Sequence, residues 1–261
     1  MKSYPIPTDV KPLPISPHHG HAIKDSSGIK GWVYKILPRH VLLPLRDELF
    51  CSWLRFKTRN SHKRFLNEDN ILLNVGSGSQ GKTEWINIDL FEGKNVTIQY
   101  DCRHKLPFPD KSVTYLFTEH FLEHIDCTED IPFFLTECRR VLKSSGVIRI
   151  VVPDAKKYLD AYFKKSWVEL SDISNNINED GYDTYFESRY GTLLQAVNHH
   201  FRQGHHHKYA YDFETLKYTL EFYGFNEVIQ QQYQESYMPQ FCIDAEERAG
   251  ESLYVEARPN K

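Results

Sequence analysis

A short apolar run near residue 71 leads into a glycine-rich loop of the kind that binds nucleotides. The loop contains Gly76, Gly78 and Gly81, followed by Lys82 and Thr83. Its letters match the pattern G-x-x-x-x-G-K-[ST] of a phosphate-binding loop, and they also match the pattern G-x-G-x-x-G of a dinucleotide site. These patterns imply different ligands, so the residues that follow the loop must distinguish between them.

The segment after the loop argues against both patterns. A phosphate-binding loop opens a long helix, because the phosphates sit on the amides and dipole at the helix N-terminus. Residues 85–89 read Trp-Ile-Asn-Ile-Asp, which alternates with the period of a strand. A dinucleotide fold needs the same helix and an acidic residue about 20 positions beyond the loop, and Asp89 arrives too early. We therefore expect no helix between Lys82 and Leu90.

The elements that position this loop alternate between short β-rich segments and helical ones, which is typical of a largely parallel sheet covered by helices. The last two strands have no helix between them, as expected for an antiparallel pair. The predicted strands are residues 71–75, 85–89, 96–100, 113–118, 147–152, 227–233 and 253–257.

Helical spacing occurs in three places along the same region. One helix is predicted for residues 128–142, with Thr128 as its N-cap and Lys143 to Gly146 as its stop signal. A second follows Pro153, and a third runs from about residue 213 to residue 223.

Length and composition favour a single globular domain with additions. The chain has 261 residues, 26% charged residues and a formal net charge of -3. A charge so close to zero excludes arguments for nucleic-acid or membrane binding that rest on the whole chain. The five cysteines include no C-x-x-C pair, which argues against a disulfide framework or a zinc site. No signal peptide or span of about 20 apolar residues is evident, so we expect a cytoplasmic protein.

The first 66 residues differ in character from the rest. Residues 1–28 are rich in proline and lack apolar periodicity, which predicts a flexible tail. Residues 29–66 are basic and predict an amphipathic helix packed on the domain, with Leu45, Leu49, Trp53 and Phe56 at helical spacing. Its cationic face is either solvated or contacts an anionic surface.

The remaining residues, 67–261, are expected to form the domain itself. Residues 164–210 are polar and too long for a simple connection, so we interpret them as an insertion that covers a site.

Several motifs, taken in order, resemble the class I S-adenosylmethionine-dependent methyltransferases, in particular the type 11 branch with a shortened first helix. The resemblance extends from about residue 71 to residue 257 and implies a Rossmann-like, seven-stranded, mostly parallel α/β sheet. Its last strand would be antiparallel, helices would cover both faces, and S-adenosyl-L-methionine would be the cofactor. The motifs are Leu72–Gly78, Gly81 before Trp85–Asp89, Asp101, Leu106–Asp110, Glu119–His124 and Arg140–Gly146.

The resemblance assigns cofactor contacts to residues near the ends of the first four strands. Gly76 and Gly78 would let the backbone approach the cofactor, a use that needs the missing Cβ. Asp89 would accept from the ribose hydroxyls and Asp101 from the adenine amine. The family usually has an acidic residue where this chain has Asn74, so cofactor affinity is expected to be lower than typical. The full predicted set is Asn74, Gly76, Ser77, Gly78, Asp89, Leu90, Asp101, Cys102 and Glu119.

Four polar residues, Glu119, His120, Glu123 and His124, follow the fourth predicted strand, where the family's chain passes the reactive methyl group. Methyl transfer depends mainly on aligning the acceptor and excluding water, and a base is needed only for a hydroxyl or a protonated amine. His124 is a candidate base, because an unperturbed imidazole has a pKa near neutrality. The same Glu-His pair could instead orient the loop.

Five histidines lie between residues 199 and 207. No cysteine or spaced His-Glu motif accompanies them, and adjacent histidines on a regular element point to different faces, so the sequence predicts no metal site. As the resemblance suggests, we expect His207 with Lys208, Tyr211 and Asp212 to line the acceptor pocket. His207 is thus a second candidate catalytic residue.

The predicted function is methyl transfer from S-adenosyl-L-methionine to a hydroxyl of a small molecule or a glycan. The acceptor class rests on resemblance to methyltransferases of surface-glycan pathways. Two alternatives stay open: an ATP-dependent phosphotransferase that uses Lys82 and Thr83, and a non-catalytic module that binds the cofactor. We expect no specific nucleic-acid partner.

Overall fold

A computed structural model describes residues 39–79, 81–173, 190–203 and 206–260. The predicted tail, the start of the basic segment, the middle of the predicted insertion and His205 lie outside the described residues. The α-helices are α1 (Arg39–Thr58), α2 (Asp130–Val141), α3 (Ala155–Phe163), α4 (Trp167–Ile173), α5 (Leu193–Arg202) and α6 (Phe213–Phe222). The strands are β1 (Ile71–Val75), β2 (Ile86–Asp89), β3 (Ile98–Gln99), β4 (Val113–Glu119), β5 (Leu142–Pro153), β6 (Phe225–Gln231) and β7 (Ser252–Pro259).

The seven strands form one sheet in the order β3-β2-β1-β4-β5-β7-β6. Strands β1 to β5 pair in parallel, and β7 lies antiparallel between β5 and β6. The predicted seven-stranded Rossmann-like sheet with an antiparallel last strand is therefore confirmed. In the part of the chain that the structure describes, no helix combines the length and the apolar character needed to cross a membrane.

The alternation of side chains in β4 divides the apolar residues between the two faces of the sheet. Val113 and Leu116 join the larger cluster, which includes residues of α2 and α6. Tyr115 and Phe117 point to the other face and pack with Trp85 and with residues of the segment between β6 and β7. No helix follows β1 or β2 on the way to the next strand, so this segment covers the face instead.

A buried arginine holds the segment between β6 and β7 against the sheet. Arg149 is fully buried and donates two hydrogen bonds, of 2.7 and 2.6 Å, to the carboxylate of Asp244. It also lies 3.2 Å from Glu256, which accepts from Tyr115 and from the backbone of Tyr237. A buried charge network of this kind contributes only when all of its members are satisfied, which ties the segment to one position.

Helix α1 lies on the domain with a different face from the one predicted. The buried residues are Cys51 and Leu54, whereas Leu49 and Trp53 are 63% and 52% exposed. The predicted apolar stripe, which also included Leu45 and Phe56, is therefore on the outer side of the helix. The predicted helix is present, but the spacing of apolar residues does not determine which of two apolar faces packs on the domain.

The boundaries of α2 differ from the predicted signals. Asp126, not Thr128, accepts the backbone N–H bonds of Thr128 and Glu129 ahead of the helix. At the other end the chain passes directly from Val141 into β5, so the predicted stop signal, Lys143 to Gly146, lies inside a strand. Because the last helical residue is followed by extended Leu142, no glycine is needed to end the helix.

The loop after β1 has the geometry expected for the S-adenosylmethionine family. Residues 81–85 form turns and β2 begins at Ile86, so no helix separates the glycine loop from the second strand. The phosphate-binding alternative lacks the helix dipole on which it depends.

Candidate active site

The site predicted from the sequence lies where the strand order reverses. Strands β1 and β4 are parallel neighbours, with Val75 opposite Thr118, and the chain runs outward from them in opposite directions. In open α/β sheets, ligands bind at the carboxyl ends of the strands beside such a point. The glycine loop after β1 and the polar segment after β4 meet there.

Gly76 and Gly78 both have the left-handed backbone that favours glycine, with φ of +68° and +62°. A Cβ on Gly76 would lie 2.7 Å from the ring of Phe121, so the loop packs directly on the segment that follows β4. Among the described residues, no atom lies within 4 Å of a Cβ added to Gly78, so the space on its outer side is open with respect to them. The first glycine therefore serves packing, and the second leaves room for a ligand.

Asp89, at the end of β2, holds the glycine loop in place. Its two carboxylate oxygens accept backbone N–H bonds from Gly78 and Phe91, each at 2.8 Å. A carboxylate has about four acceptor positions, so two remain for the hydroxyls of a ribose. The side chain is half-buried, which leaves those positions accessible.

Asn74 has a structural partner that an acidic residue could not replace. Its amide nitrogen donates to the side-chain oxygen of Asn87 at 3.0 Å, and both residues are buried. Asn87 in turn donates to the carbonyls of Lys82, Trp85 and Asn95, which shapes the turn after the glycine loop. Asn74, which differs from the acidic residue usual in the family, thus contacts the residue that shapes the turn present here in place of the first helix.

The carboxylate of Asp101, which was expected to contact adenine, forms ion pairs with two arginines. Its carboxylate accepts from Nε and Nη2 of Arg103, both at 2.9 Å, and from Nη1 of Arg55 on α1 at 2.9 Å. Burial acts to raise the pKa of Asp101, but the two guanidinium groups outweigh it and hold the pKa below the ordinary value. An adenine amine would have to share this carboxylate with Arg55 and Arg103.

The other predicted cofactor residues lie around the same edge. Leu90 follows Asp89, and its carbonyl accepts from Gln99. Ser77 donates its backbone N–H to Ile88. Glu119 accepts from the backbone of Ala245, and burial raises the pKa of its carboxyl group.

Cys102 is buried, and burial raises the pKa of its thiol well above the ordinary value. Its contact with the cofactor stays a prediction.

Two distant parts of the chain meet at Glu123, His124 and His207. The rings of His124 and His207 pack edge to face with centroids 4.8 Å apart. The segment after α5 is held there because the backbone N–H of Lys208 donates to the carbonyl of Glu123 at 2.6 Å. A small cavity beside Glu123 and His207 is closed by Pro153 and by the end of α5.

The electrostatics of this cluster follow from its burial. Glu123 is 2% exposed, and although burial acts to raise its pKa, the neighbouring His120 and His124 rings hold the pKa below its ordinary value. Burial lowers the pKa of His207, despite the opposing effect of Glu123, so its imidazole is neutral near pH 7. A neutral imidazole can accept a proton.

The wider set of histidines and tyrosines has other roles. His199 and His200 lie on α5 and pack on Tyr190 and Tyr158, with ring centroids 5.3 and 4.5 Å apart. Asp212 caps α6 through the backbone N–H of Thr215 and does not line the cavity.

The sequence analysis missed the residues that surround His120 from the segment before β7. The Nε2 atom of His120 lies 2.9 Å from Oγ of Ser252, and Arg248 donates to Glu251 beside it at 2.7 Å. No motif marks these residues, because they follow a segment whose position depends on the tertiary contacts of Arg149.

The residues at this edge fit S-adenosylmethionine in two respects and differ in one. Open space lies beside Gly78, and Asp89 keeps free acceptor positions, as a ribose requires. The difference is Asp101, whose acceptor positions are taken by arginines.

Comparisons with known proteins identify one family that resembles part of the chain. Residues 73–150 match the model of the family described as "Methyltransferase domain". A comparison with curated protein sequences finds no match.

Solved structures of methyltransferases also resemble the chain. A SAM-dependent methyltransferase from Archaeoglobus fulgidus is 19% identical, with a TM-score of 0.43 over 82% of this chain and 98% of that one. The CurJ carbon methyltransferase is 13% identical, with a TM-score of 0.41 over 74% of this chain and 49% of that one. A Haemonchus contortus phosphoethanolamine N-methyltransferase 2, solved with S-adenosyl-L-methionine, is 11% identical, with a TM-score of 0.37 over 82% and 56%. The chain thus spans about half the length of two of these proteins, and likenesses this weak carry no further argument.

The family match covers the segment from β1 into β5, which contains the glycine loop, Asp89, Asp101 and the turn after β4. The complete sheet has the strand order in which these motifs are expected. Residues 73–150 are therefore similar to the methyltransferase domain family, and they lie within a seven-stranded Rossmann-like sheet.

Proposed function

We propose that this chain is an S-adenosylmethionine-dependent methyltransferase that acts on a hydroxyl of a small molecule or a glycan, held beside Glu123, His124 and His207. The observation that supports an oxygen acceptor is the pair of packed imidazoles, His124 and His207. Nδ1 of His124 lies 3.0 Å from the carbonyl oxygen of His206, and Nδ1 of His207 lies 2.8 Å from that of His200. A carbonyl oxygen only accepts, so both Nδ1 atoms carry the proton and both Nε2 atoms keep a lone pair.

Those lone pairs are suited to the one chemical task that an oxygen acceptor requires of the protein. S-adenosylmethionine supplies the methyl group, so that a C–O bond forms as the C–S bond breaks and its electron pair passes to sulfur. The Nε2 atom of His124 or His207 would take the hydroxyl proton. The segment after β4 and the end of α5 would exclude water from the acceptor.

Cofactor binding and its residues are tested by calorimetry with S-adenosylhomocysteine. We expect wild type to bind and Asp89→Ala to abolish binding, because Asp89 both holds the glycine loop and offers acceptors for the ribose. Lys82→Ala and the exposed control Glu92→Ala should bind as wild type does. Binding of ATP with magnesium that is lost in Lys82→Ala would instead establish a phosphotransferase.

The acceptor is tested by transfer of labelled methyl groups to a panel of hydroxylated small molecules and oligosaccharides. We expect transfer to a hydroxyl, with His124→Ala or His207→Ala lowering kcat by about 10²-fold or more while S-adenosylhomocysteine still binds. Transfer only to amines or carbon would refute the oxygen acceptor. Absence of transfer to any acceptor would favour a binding module.

We also propose that the chain acts in the cytoplasm and contacts an anionic membrane surface through α1. The outer face of α1 exposes Leu49 and Trp53, and Lys57 and Arg59 lie over the rings of Trp53 and Phe56 at 5.0 and 4.0 Å. An apolar stripe flanked by cations is suited to the interface of an anionic bilayer. Arg55 does not contribute, since it pairs with Asp101 and Glu48.

Vesicle sedimentation tests this contact. The full chain should bind vesicles that contain phosphatidylserine and not neutral ones, and Leu49→Ser with Trp53→Ser should remove most of the binding. Tyr218→Ser, at an exposed aromatic residue of α6, is the control. Equal binding to neutral vesicles, or no effect of the double substitution, would refute the proposal.

A further inference from the structure

Three side chains that the sequence keeps apart form a compact set of metal-binding atoms. Glu123 and His124 follow β4, whereas His207 follows α5. One ligand atom from each of the three lies within 4.8 Å of the others. In the part of the chain that the structure describes, this is the one group of three such residues so close together.

Both histidines keep the same ring atom available as a ligand. Because Nδ1 of each ring donates to a backbone carbonyl, the atom left with a lone pair is Nε2 in both. Histidines that bind metals almost always donate their other ring N–H to such a group, which fixes the tautomer and orients the ring. The backbone around His200 and His206 thus prepares both rings as ligands.

Glu123 supplies an independent observation. The residue is 2% exposed, and neither carboxylate oxygen accepts a hydrogen bond from a described residue. The imidazole nitrogens nearest to Oε1 are Nδ1 of His120 at 3.3 Å and Nε2 of His124 at 4.0 Å. A buried carboxylate without hydrogen bonds costs more than almost any other polar group, so a partner for it is expected.

The space beside the set is the right size for an ion. The cavity lined by Glu123 and His207 has a volume of about 10 Å³. That volume admits about one water-sized sphere, so the acceptor proposed above would lie outside this cavity. The three ligand atoms lie within 4.8 Å of one another, so they need to approach by up to about 1.4 Å to surround a metal at the usual distance of about 2.1 Å.

We propose that Glu123, His124 and His207 bind one divalent transition-metal ion. Two imidazole nitrogens and one carboxylate oxygen form a donor set that suits zinc, manganese, iron or cobalt and does not suit calcium or magnesium. With three protein ligands the ion keeps an open position, as in a catalytic rather than a structural site. His120 reaches Ser252 through Nε2, and its Nδ1 atom lies 3.3 Å from the Glu123 carboxylate without completing a hydrogen bond to it.

The metal site does not depend on the identity of the proposed acceptor, but it would replace the base role proposed above for the two histidines. A bound ion would use both Nε2 lone pairs, so the histidines would then be ligands and not bases. The open position would accept water or the hydroxyl of the acceptor, and an oxygen bound to the metal loses its proton more readily.

The test is calorimetric titration of the full chain, stripped with a chelator, with Zn²⁺, Mn²⁺ and Co²⁺ alone. We expect one ion per chain, with a Kd below about 10 μM for at least one of the metals. Glu123→Gln, which keeps the shape of the side chain, should weaken binding at least about 100-fold, the upper end of losses seen even for residues behind the ligands. The control is His206→Ala, because it removes a neighbouring imidazole and keeps the carbonyl that His124 needs.

Titration of the same variants with S-adenosylhomocysteine and thermal unfolding without metal show whether each is folded. If Glu123→Gln does not fold, His207→Gln provides the same test from the other side of the set. The proposal is overturned if no metal binds with a stoichiometry of one, or if Glu123→Gln binds as wild type does. It is equally overturned if His206→Ala loses as much affinity as Glu123→Gln, since the ion would then belong to the histidine-rich segment.

Discussion

The two glycines of the loop after β1 should respond differently to the same substitution. Both have positive φ, so alanine at either position costs about 1–2 kcal/mol of stability from backbone strain. At Gly76 the new Cβ would also lie 2.7 Å from Phe121, and overpacking of this kind adds about 1–3 kcal/mol. We therefore expect Gly76→Ala to lose about 2–5 kcal/mol and Gly78→Ala only the strain.

Gly78→Ala, the less destabilising of the two variants, should weaken cofactor binding. The Cβ of Gly78→Ala points into open space, which is where S-adenosylhomocysteine must approach the backbone. We expect its affinity to fall at least tenfold, or about 1.4 kcal/mol, in a variant that remains folded.

Thermal unfolding and calorimetry with S-adenosylhomocysteine measure the two effects. Each kcal/mol shifts Tm by roughly 2–4 °C in a domain of this size. Gly191→Ala is the control, since its Cβ would meet only the flexible end of Gln195. The reasoning is refuted if Gly78→Ala binds as wild type does, or if it destabilises the protein as much as Gly76→Ala.

Three other substitutions test the polar contacts that hold the site. Arg149→Met leaves Asp244 buried without its cation and should cost about 3–5 kcal/mol in urea unfolding, whereas a loss below about 1 kcal/mol would show that the network is not needed. Asn74→Asp, which restores the family's acidic residue, places a carboxylate against the oxygen of Asn87 and should lower stability by about 1–3 kcal/mol, whereas unchanged or raised stability would contradict this role. The folded-state pKa of Asp101 lies below its ordinary value, so its stabilisation is complete above the unfolded-state pKa of about 3.9 and is lost as pH falls through the folded-state pKa. The difference in Tm between wild type and Asp101→Asn should therefore be largest near pH 7 and shrink toward pH 3, and a difference that grows in acid would refute the pairing with arginine.

The elements that the sequence could predict are those that depend on local patterns. Strand β1 has the predicted bounds, β4 and α3 nearly so, and the absence of a helix after the glycine loop followed from the alternation in residues 85–89. The glycine loop could be identified because a positive φ and the close approach of a ligand both require glycine, and glycines can be recognised from the sequence alone. The division of residues into three domains stays a prediction, as do the roles of the predicted site residues.

Other features were decided only by tertiary contacts. Helix α1 is oriented by ion pairs of Arg55 with Asp101 and of Glu48 with Arg103. The sequence of the helix does not specify the positions of Asp101 and Arg103. The prediction of no metal site rested on the histidines near His207 taken alone, and Glu123 and His124 come from another part of the chain.

The sequence by itself determined that this chain builds a Rossmann-like seven-stranded sheet with a glycine loop at its centre, because short-range periodicity and glycine chemistry are local properties. The tertiary structure decided what stands around that loop. Asp101 pairs with Arg55 and Arg103, and Asn74 donates a hydrogen bond to Asn87. The Glu123 carboxylate, which accepts no hydrogen bond from a described residue, lies beside the imidazoles of His124 and His207. These pairings depend on distances between residues that are far apart in the chain, and local sequence patterns do not determine such distances.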